Sequence, residues 1–456
     1  MSLTSLRSTK SSGYKWLADI PEQWDVEKFR YVFSESQEKI ESPSEIKGEM
    51  LSVSGYRGIE VKEYEDESLK RKPNELINYR IVKPKQLVVN TMWLNYAGLG
   101  VSTYVGYVSP AYRSYAIRQD FDTRFIHHLM RSDIYVKGYT RLLTGIRPNS
   151  LQMGRDDLMA FPIVVPPREE QQKIAQFLDY ETAKIDALID EQKRLIELLK
   201  EKRQAVISHA VTKGLNPGAP MKDSGVEWLG EVPKHWLYGS LGYYSRIETG
   251  STPDRSNPEY WGGDIPWIKT GEVNYQTIFN SEESITLLAT KESSVRLAPP
   301  GTLLMAMYGQ GVTRGRVAIL GVHATFNQAC AAITVNHKLE VEFLELYLKF
   351  AYSFIRDVGN ETSQMNLNAS YVAKIPIVVP PLEEQEKLIT TVNKAILKLS
   401  SLETESKTLS ETLKERRSAL ISAAVTGKID VRDWQPPAGS DTVDSNASMQ
   451  TERHYG

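Results

Sequence analysis

Cysteine is almost absent from this chain of 456 residues, which contains a single copy at Cys330. One cysteine excludes an internal disulfide and fits a protein of the reducing cytoplasm. The neighbours Ala329 and Ala331 are small and apolar, so we expect a buried structural thiol and not a nucleophile. The sequence therefore predicts a cytoplasmic protein.

Long apolar runs are also missing. No stretch reaches the roughly 18 consecutive apolar residues that a membrane helix needs. Residues 1–15 are polar and lack the apolar core of a signal peptide. We expect no membrane partner.

The chain has no large excess of charge of either sign, because its net charge is −2. Residues 1–160 carry 23 Lys and Arg against 20 Asp and Glu, a net of +3, and residues 214–374 carry 13 against 16, a net of −3. A free-standing nucleic-acid binder usually has a clear basic excess. If DNA is the ligand, local patches must hold it, and a partner must supply much of the attraction to phosphate.

Catalytic motifs are missing as well. The sequence has no GxxxxGK[ST] phosphate loop and no Asn/Asp-Pro-Pro-Tyr/Phe motif of base methyltransferases. Glu60-Val61-Lys62 could be half of a nuclease metal site, but no suitable Asp precedes it. We therefore expect no catalytic residue, metal ion or cofactor on this chain.

An internal repeat organises the chain. Pro162–Pro167 recurs as Pro376–Pro381, and the same offset of 214 carries Glu169-Glu170-Gln171 onto Glu383-Glu384-Gln385. A second block, with an offset of 212, carries Trp24 and its flanking residues onto Trp236. Residues 25–160 and 237–374 align poorly. This pattern predicts two diverged modules, each followed by a shared segment.

The shared segments have the signature of long helices. Each begins with Pro-Pro followed by an acidic pair, which suits a helix entrance. Each helix is predicted to be about 45 residues, or roughly 65–70 Å, long. Apolar residues recur with a seven-residue period, which predicts a coiled-coil seam between the two copies. The alternative is that each helix packs on its own module. The predicted seam residues are Ile174, Leu178, Ile185, Leu188, Leu195, Leu199, Val206, Leu388, Val392, Leu399, Leu402, Leu409, Leu413 and Leu420.

The modules read as mixed structure with many short strands and one helix each, in residues 125 onward and 341–354. The predicted fold class is α+β, with two globular domains separated by two long helices and related as an internal repeat. The predicted boundaries are 1–160 for the first domain, 161–213 for the first helix, 214–374 for a linker and the second domain, 375–430 for the second helix, and 431–456 for a disordered tail.

Polar residues in the two modules have the chemistry of DNA recognition. Arg suits guanine and Asn or Gln suits adenine, while Lys, Ser and Thr suit phosphates. Each also has an alternative as a solvated or structural group. The candidates are Tyr56, Arg57, Lys70, Arg71, Lys72, Asn95, Tyr96, Arg113, Arg141, Arg147 and Asn149 in the first module, and Thr249, Ser251, Thr252, Arg255, Asn257, Lys269, Thr270, Tyr308, Gln310, Arg314 and Arg316 in the second.

The repeated segments, Pro-Pro-Arg-Glu-Glu-Gln-Gln-Lys-Ile at 166–174 and Pro-Pro-Leu-Glu-Glu-Gln-Glu-Lys-Leu at 380–388, resemble those of the specificity subunits of type I restriction–modification systems. Thr249–Pro253 and Ile265–Ile268 extend the resemblance, which covers about residues 12–430. It implies two target recognition domains that each read half of a bipartite, asymmetric site in double-stranded DNA, and an antiparallel pair of spacer helices.

The resemblance also implies partners. Two modification (methyltransferase) subunits would bind the chain and two restriction (ATP-dependent translocase and nuclease) subunits would join them, so that S-adenosylmethionine, ATP and Mg belong to those partner subunits. Two other classes stay open. One is a self-contained nuclease or methyltransferase, against which the missing motifs argue. The other is a stand-alone DNA-binding regulator or coiled-coil scaffold, which would bind its site without a methyltransferase partner.

Overall fold

A computed structural model of the chain describes residues 7–145, 151–309, 313–357 and 367–437. It divides into two compact units: unit 1 takes the residues up to Lys193 and from Thr408 onward, and unit 2 takes Arg194–Lys407. Each unit combines one globular module with a part of each long helix. The predicted α+β class and internal repeat are confirmed.

Two of the α-helices are far longer than the others. The α-helices of the described residues are α1 (Phe29–Val32), α2 (Thr123–Arg131), α3 (Asp133–Thr140), α4 (Arg155–Ala160), α5 (Arg168–Lys213), α6 (Leu287–Glu292), α7 (Val341–Phe350), α8 (Tyr352–Asp357), α9 (Ala369–Lys374) and α10 (Leu382–Val425). The long helices α5 and α10 contain 46 and 44 residues, close to the predicted length. None of the described helices combines the length and apolar character needed to cross a membrane.

Module 1, the part of the chain before α5, contains two four-stranded sheets. Its strands are β1 (Thr9–Ser11), β2 (Asp19–Pro21), β3 (Asp25–Lys28), β4 (Phe33–Glu35), β5 (Glu49–Ser54), β6 (Gly58–Val61), β7 (Arg80–Val82), β8 (Leu87–Val89), β9 (Leu99–Val101), β10 (Gly106–Val108), β11 (Arg113–Ile117), β12 (Leu143–Thr144), β13 (Gln152–Met153) and β14 (Pro162–Val165). The sheets have the orders β6-β5-β10-β7 and β4-β11-β8-β9.

Module 2, the part between α5 and α10, has a different sheet arrangement. Its strands are β15 (Met221–Asp223), β16 (Glu231–Pro233), β17 (Leu237–Ser240), β18 (Ser245–Thr249), β19 (Trp261–Ile268), β20 (Ser284–Ile285), β21 (Leu303–Ala306), β22 (Val317–Ile319), β23 (Thr325–Phe326), β24 (Cys330–Val335) and β25 (Pro376–Val379). The main sheets have the orders β18-β24-β21-β22 and β20-β19-β23. Cys330 is buried in this module, as predicted, and burial raises the pKa of its thiol to about 12.

The shared sequence blocks meet in space and close each module. In module 1, β3 directly follows Trp24 and pairs antiparallel with β14, so that Val26 faces Val164. In module 2, β17 directly follows Trp236 and pairs with β25, with Tyr238 facing Val378. The first block and the last block of each copy therefore form one two-stranded ribbon. The long helix begins three residues after this ribbon.

A buried glutamine fixes the start of each long helix to its module. Gln171 is 1% exposed; its Oε1 accepts from the Asp122 backbone N–H at 2.9 Å and its Nε2 donates to the Pro166 carbonyl at 2.9 Å. Gln385 is fully buried, and its Oε1 accepts from the Glu340 N–H at 2.8 Å. Asp122 and Glu340 are the N-cap residues of α2 and α7. The repeated Glu-Glu-Gln motif is thus a structural clamp.

The glutamate that precedes each of these glutamines has different hydrogen-bond partners in the two copies. Glu170 Oε2 accepts from Trp24 Nε1 at 3.0 Å and from Arg7 Nη2 at 2.8 Å. Burial opposes ionisation of Glu170, but the hydrogen bonds from Arg7 and Trp24 outweigh it and lower the pKa of this carboxyl group. In the second copy Glu384 Oε2 lies 2.8 Å from His235 Nε2.

The long helices run antiparallel within each unit. In unit 1, Ile185 and Ile189 of α5 pack with Leu413 of α10, while the earlier residues of α5 share a core with Ala424 and Val425. In unit 2, Arg203 Nη2 donates to Glu403 Oε2 at 2.8 Å, and Ile207 shares a core with Leu388 and Val392. Within each unit, residues later in α5 contact residues earlier in α10. This is the antiparallel order that the resemblance implied.

The predicted seam is wrong at four positions. Leu188, Leu195, Leu402 and Leu409 are 45%, 41%, 40% and 46% exposed. The residue after each of them lies on the more buried side: Ile189, Ile196, Glu403 and Ser410. The apolar pattern was misleading because polar side chains occupy the seam, with Ser406 at 4% and Ser410 at 7% exposure. The other predicted residues are buried or half-buried.

Two further expectations need correction. Each module has more than one helix: Ser132 is extended and separates α2 from α3, with its Oγ donating to the Leu129 carbonyl at 2.7 Å. The predicted tail begins too early, because Val431 is 1% exposed and the Trp434 ring packs 5.5 Å from Phe177. These apolar side chains bury against unit 1, whereas residues 438–456 lie outside the described part of the chain.

Replacing Gln385 with Met should lower the free energy of unfolding by about 1–3 kcal/mol, because a side chain of similar size leaves the buried Glu340 N–H and the Lys338 and Pro380 carbonyls without their partner. Urea unfolding followed by circular dichroism measures the change. Glu386→Ala, at the exposed neighbouring position, is the control and should change little. An equal midpoint for both variants would contradict the clamp.

Candidate nucleic-acid interface

A basic cleft of about 730 Å³ lies in module 1 beside β5 and the segment that follows β6. Its lining includes four cations and one acidic residue: Lys62, Lys70, Arg71, Lys72 and Glu75. Ser52, Ser68 and Ser109 contribute hydroxyl groups, and Tyr64, Tyr79 and Tyr112 contribute aromatic rings. This mixture of cations, hydroxyls and rings suits phosphates and sugars of a nucleic acid.

Local turns hold the basic segment in place. Asp66 Oδ1 accepts from the Ser68 N–H at 2.8 Å, and Glu75 Oε2 accepts from the Lys72 N–H at 3.2 Å. Lys70 Nζ lies 2.8 Å from a carboxylate oxygen of Glu67, whose hydrogen bond raises the pKa of Lys70. Because this ion pair is exposed, it contributes little and can exchange for a phosphate. The three predicted cations at 70–72 therefore come together in one accessible cleft.

Sequence reasoning missed Lys62, Tyr64 and Tyr112 as members of this cleft. Lys62 Nζ lies 5.1 Å from the centre of the Tyr64 ring, close enough for a cation–π contact. The alternation of Lys62 and Tyr64 directly after β6 places both on one face, which is a signal that the sequence offered. Tyr112 comes from a separate loop, and no local pattern connects it with residues 62–72.

Tyr56 was predicted to contact DNA, but it packs on the helical part of unit 1. Its hydroxyl donates to Asp186 Oδ1 at 2.6 Å, and the Arg417 guanidinium lies 5.1 Å from its ring centre. Burial, reinforced by Asp186, raises the pKa of Tyr56 to about 12. Arg57, the next residue, is exposed and 3.8 Å from Glu60. Of this predicted pair, Arg57 is the residue whose side chain is more accessible to a ligand.

A pair of exposed aromatic residues projects from the turn after β8. Trp93 and Tyr96 are each 56% exposed, and their ring centres are 5.7 Å apart. Half-buried Arg131 supports this turn by donating to the Ala97 and Leu99 carbonyls at 3.2 and 2.6 Å. Asn95 Oδ1 is buried without a hydrogen-bond partner among the described residues. The turn thus presents two rings on a rigid support.

The remaining predicted residues of module 1 are dispersed. Arg113 lies in β11, where its Nε is 3.4 Å from Glu35 Oε1, and Arg141 is an exposed residue at the end of α3. Arg147 and Asn149 lie outside the described residues, as does Gln310 of module 2.

In module 2, Arg255 packs against two tryptophan rings that meet edge to face, with centres 5.2 Å apart. Its guanidinium carbon is 3.9 Å from the centre of the Trp261 ring and 4.8 Å from that of Trp267. An ion pair with Glu283 fixes one end of the Arg255 guanidinium. Lys269 also reaches Glu283, at 3.1 Å. Because its side chain is still 54% exposed, Arg255 is an accessible guanidinium that loses little freedom on binding.

The predicted residues at 249–252 form a tightly packed loop. A side chain at Gly250 would meet the Phe326 carbonyl oxygen at 2.1 Å, so only glycine fits there. The Ser251 hydroxyl lies 2.8 Å from that of Ser294, and the Thr252 hydroxyl donates to Gln328. Thr249 ends β18. These polar groups position the loop that leads to Arg255.

The other predicted residues of module 2 have local roles. Asn257 Oδ1 accepts from the Glu259 N–H at 3.0 Å, and Thr270 begins the short turn after β19. Arg314 donates to the Arg356 carbonyl, and Arg316 lies 5.9 Å from the centre of the Tyr275 ring. Tyr308 is 39% exposed. The structure does not gather these residues around Arg255, and their part in DNA contact stays a prediction.

The chain is similar to proteins of one kind. Residues 233–410 match the family described as the type I restriction modification DNA specificity domain. The specificity subunit of the type I restriction enzyme MjaIX from Methanocaldococcus jannaschii is 33% identical over 171 residues, which are 36% of this chain and 39% of the relative. That of HindI from Haemophilus influenzae is 27% identical over 43% of this chain and 42% of the relative. The chain thus spans about two fifths of the length of these curated relatives.

A solved structure extends the likeness to most of the chain. A chain in a structure of the type I R-M system matches with a TM-score of 0.69 at 14% identity, covering 90% of this chain and 99% of that one. At 14% identity, this match shows a similar fold and nothing about function.

Replacing Arg255 with Lys should weaken the binding of duplex DNA about tenfold, because lysine keeps the charge but loses the planar guanidinium that packs against the two rings. Fluorescence anisotropy with a labelled duplex measures the affinity. Arg246→Lys is the matched control, since Arg246 is 75% exposed and pairs with Glu248. Equal affinities for the two variants would show that Arg255 does not contact DNA.

Proposed function

We propose that the chain is the DNA-reading subunit of a type I restriction–modification complex, because residues 233–410 match the DNA specificity domain family and the relatives it resembles are specificity subunits. It would direct methyltransferase and restriction subunits to a bipartite, asymmetric site in double-stranded DNA. By itself it would perform no chemistry. S-adenosylmethionine, ATP and Mg would serve the partner subunits, and the complex would work in the cytoplasm.

One observation carries this proposal: two modules share a framework but present different surfaces. The ribbons β3–β14 and β17–β25 and the clamps at Gln171 and Gln385 are equivalent. The surfaces are not, because module 1 has the basic cleft around Arg71, while module 2 has Arg255 packed against two tryptophans. A duplicated frame with diverged surfaces suits a protein that reads two different half-sites.

The weak net charge also suits a subunit that works within a complex. With a net charge of −2, the chain cannot attract DNA over a long range by itself. Its cations are concentrated in short-range clefts that would position the DNA after partner subunits have supplied most of the phosphate contacts.

Changing Lys70, Arg71 and Lys72 together to alanine should weaken DNA binding by the assembled complex about tenfold or more, and should reduce its salt dependence, because three charges of the basic cleft are lost. The affinity for a duplex carrying the methylated site, measured at several salt concentrations, tests this. The recognised sequence in module 2's half-site should not change.

The control removes three exposed positive charges elsewhere in module 1, at Lys10, Lys15 and Lys137. If the control variant lost as much affinity as the cleft variant, the effect would be one of overall charge and the cleft would not be a DNA contact.

We propose that two methyltransferase subunits dock on equivalent surfaces of the long helices. Unit 1 exposes Leu188 of α5 and Leu409 of α10. Unit 2 exposes their counterparts at the offset of 214, Leu402 of α10 and Leu195 of α5, and all four are at least 40% exposed. Exposed leucines that recur at equivalent positions are typical of a protein interface. Two copies of the same surface favour two copies of the same partner.

Leu188→Asp should reduce the number of bound methyltransferase subunits from two to one, because a charge on one docking surface opposes burial there and leaves the other surface intact. Native mass spectrometry of the co-expressed complex gives the stoichiometry. Leu397→Asp is the control, because Leu397 is 71% exposed and its counterpart at the same offset is Ala183. Two bound subunits in the Leu188 variant would contradict this docking surface.

A further inference from the structure

A second cleft in module 1, of about 320 Å³, gathers an excess of positive charge that the basic cleft does not include. Arg113 and Arg155 line the cleft together with one carboxylate, Glu35. Arg80 does not line the cleft, but its guanidinium also approaches this carboxylate. Glu35 Oε2 is 3.0 Å from Arg155 Nη2, and Glu35 Oε1 is 3.4 Å from Arg113 Nε and 3.9 Å from Arg80 Nη1. Three positive charges against one negative charge leave this cluster with a net charge of +2.

The framework of the module holds these groups in place. Glu35 ends β4, Arg80 begins β7 and Arg113 begins β11. Arg113 Nη1 donates to the Pro110 carbonyl at 2.7 Å, and Arg80 Nη1 donates to the Ser36 carbonyl at 3.3 Å. Arg155, at the start of α4, is 74% exposed and lies at the rim. The cluster is therefore rigid at its base and accessible at its edge.

The single carboxylate of Glu35 does not neutralise the three arginines. The pKa of Arg80 is lowered because burial and the nearby charge of Arg113 outweigh the attraction of Glu35. Thr91 and Gln152 line the same cleft and can donate further hydrogen bonds. An anion entering the cleft would meet two or more arginines and neutral donors, an arrangement that suits phosphate.

Resting on the proposed function, we propose that this cleft binds a backbone phosphate of duplex DNA, with Arg155 and Arg113 as its ligands. The surroundings favour a polymer over a small free anion. Met92 lines the cleft and is 40% exposed, and the exposed rings of Trp93 and Tyr96 follow it in the chain. An exposed apolar side chain at the cleft suits the sugar and base edges beside a phosphate, whereas it adds nothing to the binding of a small free anion.

Arg155→Ala tests the proposal in the complex of this chain with its methyltransferase partner. The slope of log affinity against log salt concentration for duplex DNA should fall by about one, with an affinity loss of about tenfold, while the methylated sequence stays the same. Arg30→Ala is the matched control, because Arg30 is an exposed arginine of the same module that donates to the Met159 carbonyl. An unchanged slope for Arg155→Ala would overturn the proposal.

Glu35→Gln provides a test with the opposite sign. Removing the carboxylate raises the net charge of the cluster to +3, so DNA affinity should rise about twofold or more. A cluster that serves the fold alone would instead lose stability without a gain in affinity, which thermal unfolding of the variant would reveal.

A binding experiment with inorganic phosphate tests whether the cleft binds a free anion instead of a backbone phosphate of DNA. If phosphate binds the wild-type chain at millimolar concentration and Arg155→Ala abolishes that binding without changing the DNA slope, the cleft is a small-anion site and the proposal is wrong. If the wild-type complex binds no duplex DNA, the proposed function itself fails. A complex that binds DNA with an unchanged slope in the variant refutes the phosphate site alone.

Discussion

The buried amide of Gln385, with its counterpart Gln171, is the interaction on which each unit depends. One side chain joins three elements: the end of β25 through the Pro380 carbonyl, the segment before α7 through Lys338 and Glu340, and the first turn of α10. Because the helix starts three residues after the strand that closes the module, these bonds fix the direction in which the helix leaves. The direction of the helix then determines which residues of α5 and α10 can meet within the unit.

The pairing of the long helices relies on polar contacts as well as apolar ones. Arg417 bonds both oxygens of Asp186, and Arg203 reaches Glu403. Charged pairs of this kind add little net stability, but they oppose other registers, since a shifted helix would leave a half-buried charge without its partner. With polar residues in the seam, leucines such as Leu188 and Leu402 are left on the exposed side.

The two modules show how one frame can present different chemistry. The frame depends on the strand ribbon and the glutamine clamp, which lie at the two ends of each module's sequence. The sheets between those ends differ in strand order, so the side chains they present are free to differ as well. In module 1 the cations line open clefts; in module 2 a guanidinium packs against two tryptophan rings. Because the chain as a whole is almost neutral, its positive charge is concentrated locally in both modules.

The sequence by itself determined the repeat, the α+β class, the position and length of both long helices, and the burial of Cys330, because each follows from local pattern: a fixed offset, Pro-Pro before an acidic pair, and apolar neighbours. It also found the cations at 70–72, which are adjacent in the chain. The tertiary structure decided the seam, since a seven-residue period cannot tell an exposed leucine from a seam residue when serine, arginine and glutamate occupy the seam. It also decided that Tyr56 binds Asp186, and that Glu35, Arg80, Arg113 and Arg155 meet. Those four residues span 120 positions of sequence, and only the packing of β4, β7, β11 and α4 brings their charges together.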